Sequence, residues 1–183
     1  MAMSETTQDA VELLTADHRK VDGLFVQIES ASGAEKDDAI RQVTRELSIH
    51  AAIEEQIVYP VMRRSLPDGD AKVEEAIAEH QTVKETLAEI ERLGSGAERD
   101  HHLESLMAGV RHHVEEEETE LFPELRAAVG DEELRAMGAK LAAAKKLAPT
   151  HPHPGAPATP PGNIVAGAAA AVIDKARDAV SRR

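Results

Sequence analysis

The sequence predicts an all-α fold: an antiparallel up-down-up-down four-helix bundle with a short fifth helix and a C-terminal tail. Three observations carry this. In 183 residues there are 31 Ala but only 2 Phe, 1 Tyr and no Trp, so the best helix former is plentiful and strand formers are scarce. Four long segments repeat apolar residues at steps of three and four, the period of one helix face. The breaks between them are short, which makes consecutive helices antiparallel neighbours.

The first run places Val11, Leu14, His18, Val21, Phe25 and Ile28 in one stripe and ends near Ser30 and Gly33. The second, from about Glu35 to Arg64, carries Ile40, Val43, Leu47, His50, Glu54, Ile57 and Val61 and stops at Pro67, Asp68 and Gly69. The third runs through Val73, Ala76, His80, Val83, Leu87 and Ile90 to Leu93, before Gly94, Ser95 and Gly96. The fourth covers about Ala97 to Val129 through Leu103, Leu106, Val110, His113, Glu117 and Leu121, and Gly130 closes it. Asp131 to Ala148 reads as a shorter fifth helix. Residues 1–147 thus form the bundle. Residues 148–163 carry no charge, and six prolines fall between Pro149 and Pro161, which predicts an extended or disordered linker. Residues 164–183 read as an Ala-rich amphipathic helix or tail.

Charge and composition exclude whole classes. With 34 acidic against 21 basic residues the net charge is −13, the wrong sign for displacing counterions from nucleic-acid phosphates. No stretch is apolar enough to span a membrane, and polar Met1 to Asp9 leads into no apolar signal core, so a cytoplasmic location is expected. There is no Cys, so thiol chemistry and cysteine-ligated metals are out.

The four helices read as two similar pairs. A shift of 62 places His18 on His80, Val21 on Val83 and Phe25 on Leu87. A shift of 63 places His50 on His113, Glu54 on Glu117, Glu55 on Glu118, Tyr59 on Phe122 and Pro60 on Pro123. Shared hydrophobic period alone does not align two His, two Glu and a Pro, so a duplicated helical hairpin is the better account. Residues i and i+4 of a helix lie about 40° apart, so His50 with Glu54, and His113 with Glu117, face the core together. His18 and His80 hold matching core positions on the other two helices. A lone core His is more often structural than ligating, and a lone HxxxE pair is common by chance. Six such residues converging are neither, because buried carboxylates without partners cost several kcal/mol each in effective terms. Two cations would offset that cost. Imidazole and carboxylate without sulfur suit iron, manganese or zinc, and six ligands exceed one tetrahedral zinc ion. The paired ExxH motifs of ferritin-like bundles are missing, since ExxH occurs once, at Glu98 to His101.

The order H…HxxxE…H…HxxxE, each HxxxE followed by an aromatic–Pro pair, resembles the hemerythrin-like (HHE cation-binding domain) family of non-haem di-iron proteins over about Val11 to Val129. The resemblance implies two iron ions in an oxo- or hydroxo-bridged centre. Its ligands would be His18, His50, Glu54, His80, His113 and Glu117, with one or both glutamates bridging. It also implies binding of, or reaction with, dioxygen, hydrogen peroxide or nitric oxide. Two departures stand out. Oxygen-carrying hemerythrins have a further His where this chain has Lys84, and HxxxxD in the last helix where this chain has HxxxE. A missing neutral ligand opens the iron and favours redox chemistry with small oxidants, catalase-like or protective, over reversible oxygen carriage. An oxygen or iron sensor, store or carrier without turnover is the alternative, with the terminal helix as its output. A metal-free interaction bundle is the third class.

Further candidates for an extra ligand or an outer hydrogen-bond partner are Tyr59, Asp22 and Lys84. Tyr59 follows Glu54 by five residues, which on an α-helix turns it about 140° away, although Pro60 can distort that turn. Asp22 and Lys84 lie one turn after His18 and His80 and are candidates to pair with each other. His112 is expected at the surface, and Glu115 to Glu118 is expected to be a solvated face apart from Glu117.

Overall fold

The computed structural model describes residues 8–181. Residues 1–7 and 182–183, the ends of the first and last predicted segments, lie outside this range. Among the described residues every regular element is helical. Helix α1 (Ala10–Ser30) and α2 (Gly33–Ile53) form one hairpin, and α2 continues through a π-helical turn, Glu54–Val58, into α3 (Tyr59–Ser65). Helix α4 (Gly69–Arg92) and α5 (Ala97–Glu116) form the second hairpin, and α5 continues through a second π turn, Glu117–Leu121, into α6 (Phe122–Ala144). Helix α7 (Gly162–Ser181) ends the described chain. Within each hairpin the two helices pack on each other, and α6 returns along α1.

Local chemistry explains the boundaries. Asp9 caps α1: its carboxylate accepts from the Glu12 amide at 2.9 Å, while Glu12 accepts from the Asp9 amide at 3.0 Å, a reciprocal capping box. Gly130 has φ 75°, a conformation open to glycine. It bends α6 at the point where the sequence marks the end of the fourth run and the start of the fifth. After the bend α6 folds back over the first hairpin. Gly138 meets the chain start so closely that a β-carbon there would lie 2.2 Å from the Gln8 carbonyl oxygen.

The two π turns fall at equivalent places in the repeat. Each inserts one extra residue ahead of a proline, at Pro60 and Pro123. A proline ring clashes with the carbonyl four residues back in a regular α-helix, and the wider turn relieves this. The insertion also shifts the buried stripe. Ile57 is only partly buried, whereas Val58, Tyr59 and Met62 are buried. Of the two stripe positions expected beyond Glu54 in this helix, Ile57 is therefore displaced by its neighbours while Val61 stays buried.

The core has two apolar clusters. One gathers Leu13, Leu14, Ile53, Val58, Phe122, Leu134 and Leu141, and the other Val21, Phe25, Val43, Leu47, Leu87, Leu106 and Val110. His18, His50, His80 and His113 lie along the helices between the two, so the candidate site is a polar layer dividing an otherwise apolar interior.

The segment after α6 is tied down rather than free. Ala148 and Thr150 are buried, and the amides of Thr150 and His151 donate to Asp174 Oδ2 at 2.8 and 3.1 Å. His151 Nδ1 meets Glu91 of α4 at 2.5 Å. Uncharged, Pro-rich composition reads as a linker, but it does not reveal that a buried carboxylate on α7 will organise the segment. Among the described residues, no helix is long and apolar enough to cross a membrane.

Candidate metal centre

Four helices deliver four imidazoles with their Nε2 atoms inward. His18 Nε2 lies 3.2 Å from His50 Nε2, and His80 Nε2 lies 3.2 Å from His113 Nε2. Two nitrogens bound to one ion at about 2.1 Å sit about 3.0–3.4 Å apart for angles between square and tetrahedral. Each pair is therefore spaced like two ligands of one ion.

The glutamates link the pairs. Glu54 Oε2 lies 3.1 Å from His50 Nε2 and 3.4 Å from His80 Nε2. Glu117 lies 3.6 Å from His113 and 3.4 Å from His18. Each carboxylate thus reaches one imidazole of its own hairpin and one of the other. Ligand atoms fall into two close groups, His18–His50–Glu54–Glu117 and Glu54–His80–His113, with Glu54 common to both. Both glutamates are 0 % exposed, and Glu54 Oε1, Glu54 Oε2 and Glu117 Oε2 have no hydrogen-bond partner. Orphaned buried carboxylate oxygens are costly unless a cation occupies the space between them, so the donor set fits a pair of metal ions.

Each imidazole is held from behind through Nδ1. His18 meets Glu118 at 2.8 Å, His80 meets Glu55 at 3.1 Å and His113 meets Glu79 at 2.6 Å. His50 Nδ1 lies 3.6 Å from Asp17, an ion-pair distance beyond hydrogen bonding. Such carboxylates fix the tautomer and aim the ring. All four obey the repeat: Asp17 matches Glu79, and Glu55 matches Glu118. Sequence reading overlooked them, although an acidic residue precedes His18 and His80 and a second Glu follows Glu54 and Glu117. Glu118, expected in the solvated run, is instead half-buried against His18.

The remaining candidates part company. Tyr59 is brought into the site. Because the π turn bonds its amide to the Glu54 carbonyl, residue i+5 stacks where i+4 would in an α-helix. Its hydroxyl lies 3.1 Å from His80 Nε2 and 3.4 Å from Glu117 Oε1. Its repeat mate Phe122 stacks on His18 with ring centroids 5.8 Å apart but brings no oxygen. Lys84 is buried and donates to Glu55 at 2.6 Å, supporting the carboxylate behind His80. Asp22 is not at the site: it is exposed and faces Arg111 at 3.4 Å. The expected Asp22–Lys84 pair does not form, because Arg111 and Glu55 lie nearer to each. His112 is exposed, as expected.

Charge is distributed as if protons stood in for cations. Burial alone would lower the pKa of His50, but the Glu54 carboxylate, with Asp17 and Glu117, raises it to about 10. At His113 burial is again opposed, by Glu117 and Glu79, and the pKa rises to about 9. Burial would raise Glu54, yet His50 and then His80 hold it well below the usual carboxylate range. Burial and the charges of Glu54 and Glu117 push the Tyr59 phenol well above its ordinary value.

Toward the second apolar cluster lies a mostly apolar pocket of about 20 Å³, lined by the four imidazoles and by Val21, Leu47, Val83 and Val110. It has room for roughly one water-sized molecule and offers that molecule few polar partners.

The model of the hemerythrin HHE cation binding domain matches residues 9–125 and again 77–175. The second match starts inside α4, as a duplicated hairpin permits. A hemerythrin-like protein of Schizosaccharomyces pombe is 36% identical over 171 residues, covering 91% of this chain and 83% of the relative. A DNA nickase of Nostoc is 28% identical over 136 residues, 73% of this chain but 38% of that protein. A solved hemerythrin HHE cation binding domain-containing protein from Mycobacterium kansasii superposes with a TM-score of 0.67 at 26% identity, covering 76% of this chain and 86% of that one.

Proposed function

This chain belongs to the hemerythrin HHE cation-binding domain family, and from that premise we propose that it holds a non-haem di-iron centre reacting with dioxygen, hydrogen peroxide or nitric oxide. Protection against oxidative or nitrosative stress is the role, with catalase-like peroxide decomposition as its turnover. The observation that carries this reading is the pair of all-nitrogen-and-oxygen donor groups sharing Glu54.

On this reading His18, His50, Glu54 and Glu117 would hold one ion and His80, His113 and Glu54 the other, with the Tyr59 hydroxyl beside the second group. Iron there would supply electron exchange with a small oxidant. The protein residues supply the rest. Glu118, Glu55, Glu79 and Asp17 keep the imidazoles aimed inward and strengthen them as donors. Val21, Leu47, Val83 and Val110 make a small, mostly apolar compartment against the four imidazoles, which favours a small neutral molecule over bulk water. Burial and the charges of Glu54 and Glu117 hold the Tyr59 phenol well above its ordinary pKa, so it keeps its proton unless a cation takes its place. The acidic balance of −13 supports small neutral ligands over a phosphate backbone.

Metal analysis of the full chain purified without chelator tests the reading. The wild type should carry about two iron ions per chain, and Glu54→Ala, which strikes both donor groups, should carry almost none. Peroxide consumption should exceed that of free iron at equal concentration. Iron without turnover would transfer the reading to sensing, storage or carriage. Absence of stoichiometric metal would sink both.

A further inference from the structure

The same face of the two hairpins differs in character. On the second hairpin, Glu79, His112 and Glu116 bring one ligand atom each within 4.8 Å of one another. Glu79 and Glu116 line a pocket of about 60 Å³, beside which His112 stands; its wall also includes Glu75, Glu120 and Lys72, the last paired with Glu124 at 2.5 Å, and its buried lining includes His113 and Glu117. Glu117 is fully buried, lines this pocket, and keeps Oε2 without a hydrogen-bond partner. Glu79 spans the two levels: it belongs to the surface triad and touches His113 Nδ1 at 2.6 Å.

The equivalent positions of the first hairpin are Leu13, Asp17, Ile49, Ile53 and Ile57, buried or half-buried and overlain by α6. The carboxylates behind the other imidazoles are also neutralised. Arg19 backs Glu118, Lys84 backs Glu55 and Lys145 backs Asp17. The groups acting on Glu79 are the imidazoles of His113, His112 and His80.

We infer that Glu79, His112 and Glu116 form a docking site for a divalent transition-metal cation, the entry through which the buried centre is loaded. This rests on the reading of that centre as a metal site. Imidazole with carboxylates suits ferrous iron and its first-row neighbours, and an acidic mouth in a low-dielectric wall concentrates cations and speeds their capture. A docked ion meets Glu79 first and the Glu117 oxygen behind it. Glu79 is therefore both the inner ligand of the entry and the group that aims His113.

The test uses metal-free full-length protein and cobalt(II), whose visible absorption reports occupancy of the centre. At equilibrium the wild type should bind one weak ion beyond those of the centre. H112A/E116Q/E120Q should lack that ion and fill the centre roughly tenfold more slowly at limiting cobalt, with unchanged final centre content and unchanged melting temperature. E104Q/E132Q, which removes two charges elsewhere on the surface, should load like the wild type. His112→Ala alone, at an exposed position, should already abolish the extra ion. An unchanged loading rate, a retained extra ion, or equal slowing in the control would overturn the entry site while leaving the centre intact. A wild-type centre that takes no cobalt at all would remove the centre and the entry together.

Discussion

The two hairpins agree where they face each other and disagree where they face outward. Inside, His18 and His80, His50 and His113, and Glu54 and Glu117 occupy matching places, down to the π turn that begins at each glutamate. Outside, Ile53 is fully buried while its mate Glu116 is partly exposed. The cause is chain order. The chain after the second hairpin folds back past Gly130 and packs along α1 of the first. Interior positions are restrained in both copies by one shared geometry. Surface positions follow whatever happens to pack on them.

Exchanging the outer faces should break this comparison most strongly. Ile53→Glu places a carboxylate under α6 and should cost about 3–5 kcal/mol of unfolding free energy, the scale of an uncompensated buried charge. The mirror change, Glu116→Ile, should alter stability by only about 0.5 kcal/mol. Denaturant titration of the metal-free proteins measures both. Equal effects would mean that the coverage by α6 is not what separates the halves.

A second test sharpens the agreement of the interiors. His50 and His113 titrate in the folded metal-free protein at about 10 and about 9, above the ordinary histidine value near 6.5. The folded state therefore holds protons that the unfolded chain releases. Their stabilisation is complete below about pH 6.5 and is lost as pH rises to 9 and 10, on the order of a few kcal/mol. Metal-free melting temperature should fall across that window. Cation affinity should rise over the same range, because the ligand must be neutral imidazole. A flat melting profile would remove the proton-for-cation account.

The last test concerns a chemical difference inside, Tyr59 against its mate Phe122. Tyr59→Phe makes the halves alike and should cost about 1 kcal/mol, a single buried hydrogen bond. In iron-loaded protein it should also remove any tyrosinate-to-iron absorption. Phe122→Tyr added to Tyr59→Phe moves the phenol beside His18. A band that returns at a different wavelength would mark the two ion positions as inequivalent, and an unaltered spectrum throughout would leave Tyr59 as packing.

Much of the centre was legible as spacing. HxxxE reads directly because i and i+4 share a helix face, and the duplication turned one ambiguous pair into a set. Tyr59 was harder, since five residues point away in an α-helix and only the π turn, stabilised jointly with Pro60, brings it round. The carboxylates behind the imidazoles were present as repeated Asp–His, Glu–His and Glu–Glu pairs. Their role needs a partner on another helix, as Glu118 finds in His18 some 100 residues away. Asp22 shows the converse: correct spacing along its own helix, but a cation at the surface that draws it outward.

What the amino-acid sequence determined by itself is therefore what helical period and repetition can encode: four amphipathic helices, two copies of one hairpin, and six inward-facing His and Glu side chains. Tertiary structure decided which carboxylate stands behind which imidazole, that the Pro-rich segment docks through Asp174, and that α6 closes one face and leaves the other open. Those outcomes depend on distances between chain segments remote in sequence, set by packing at a bend, and no local pattern carries them.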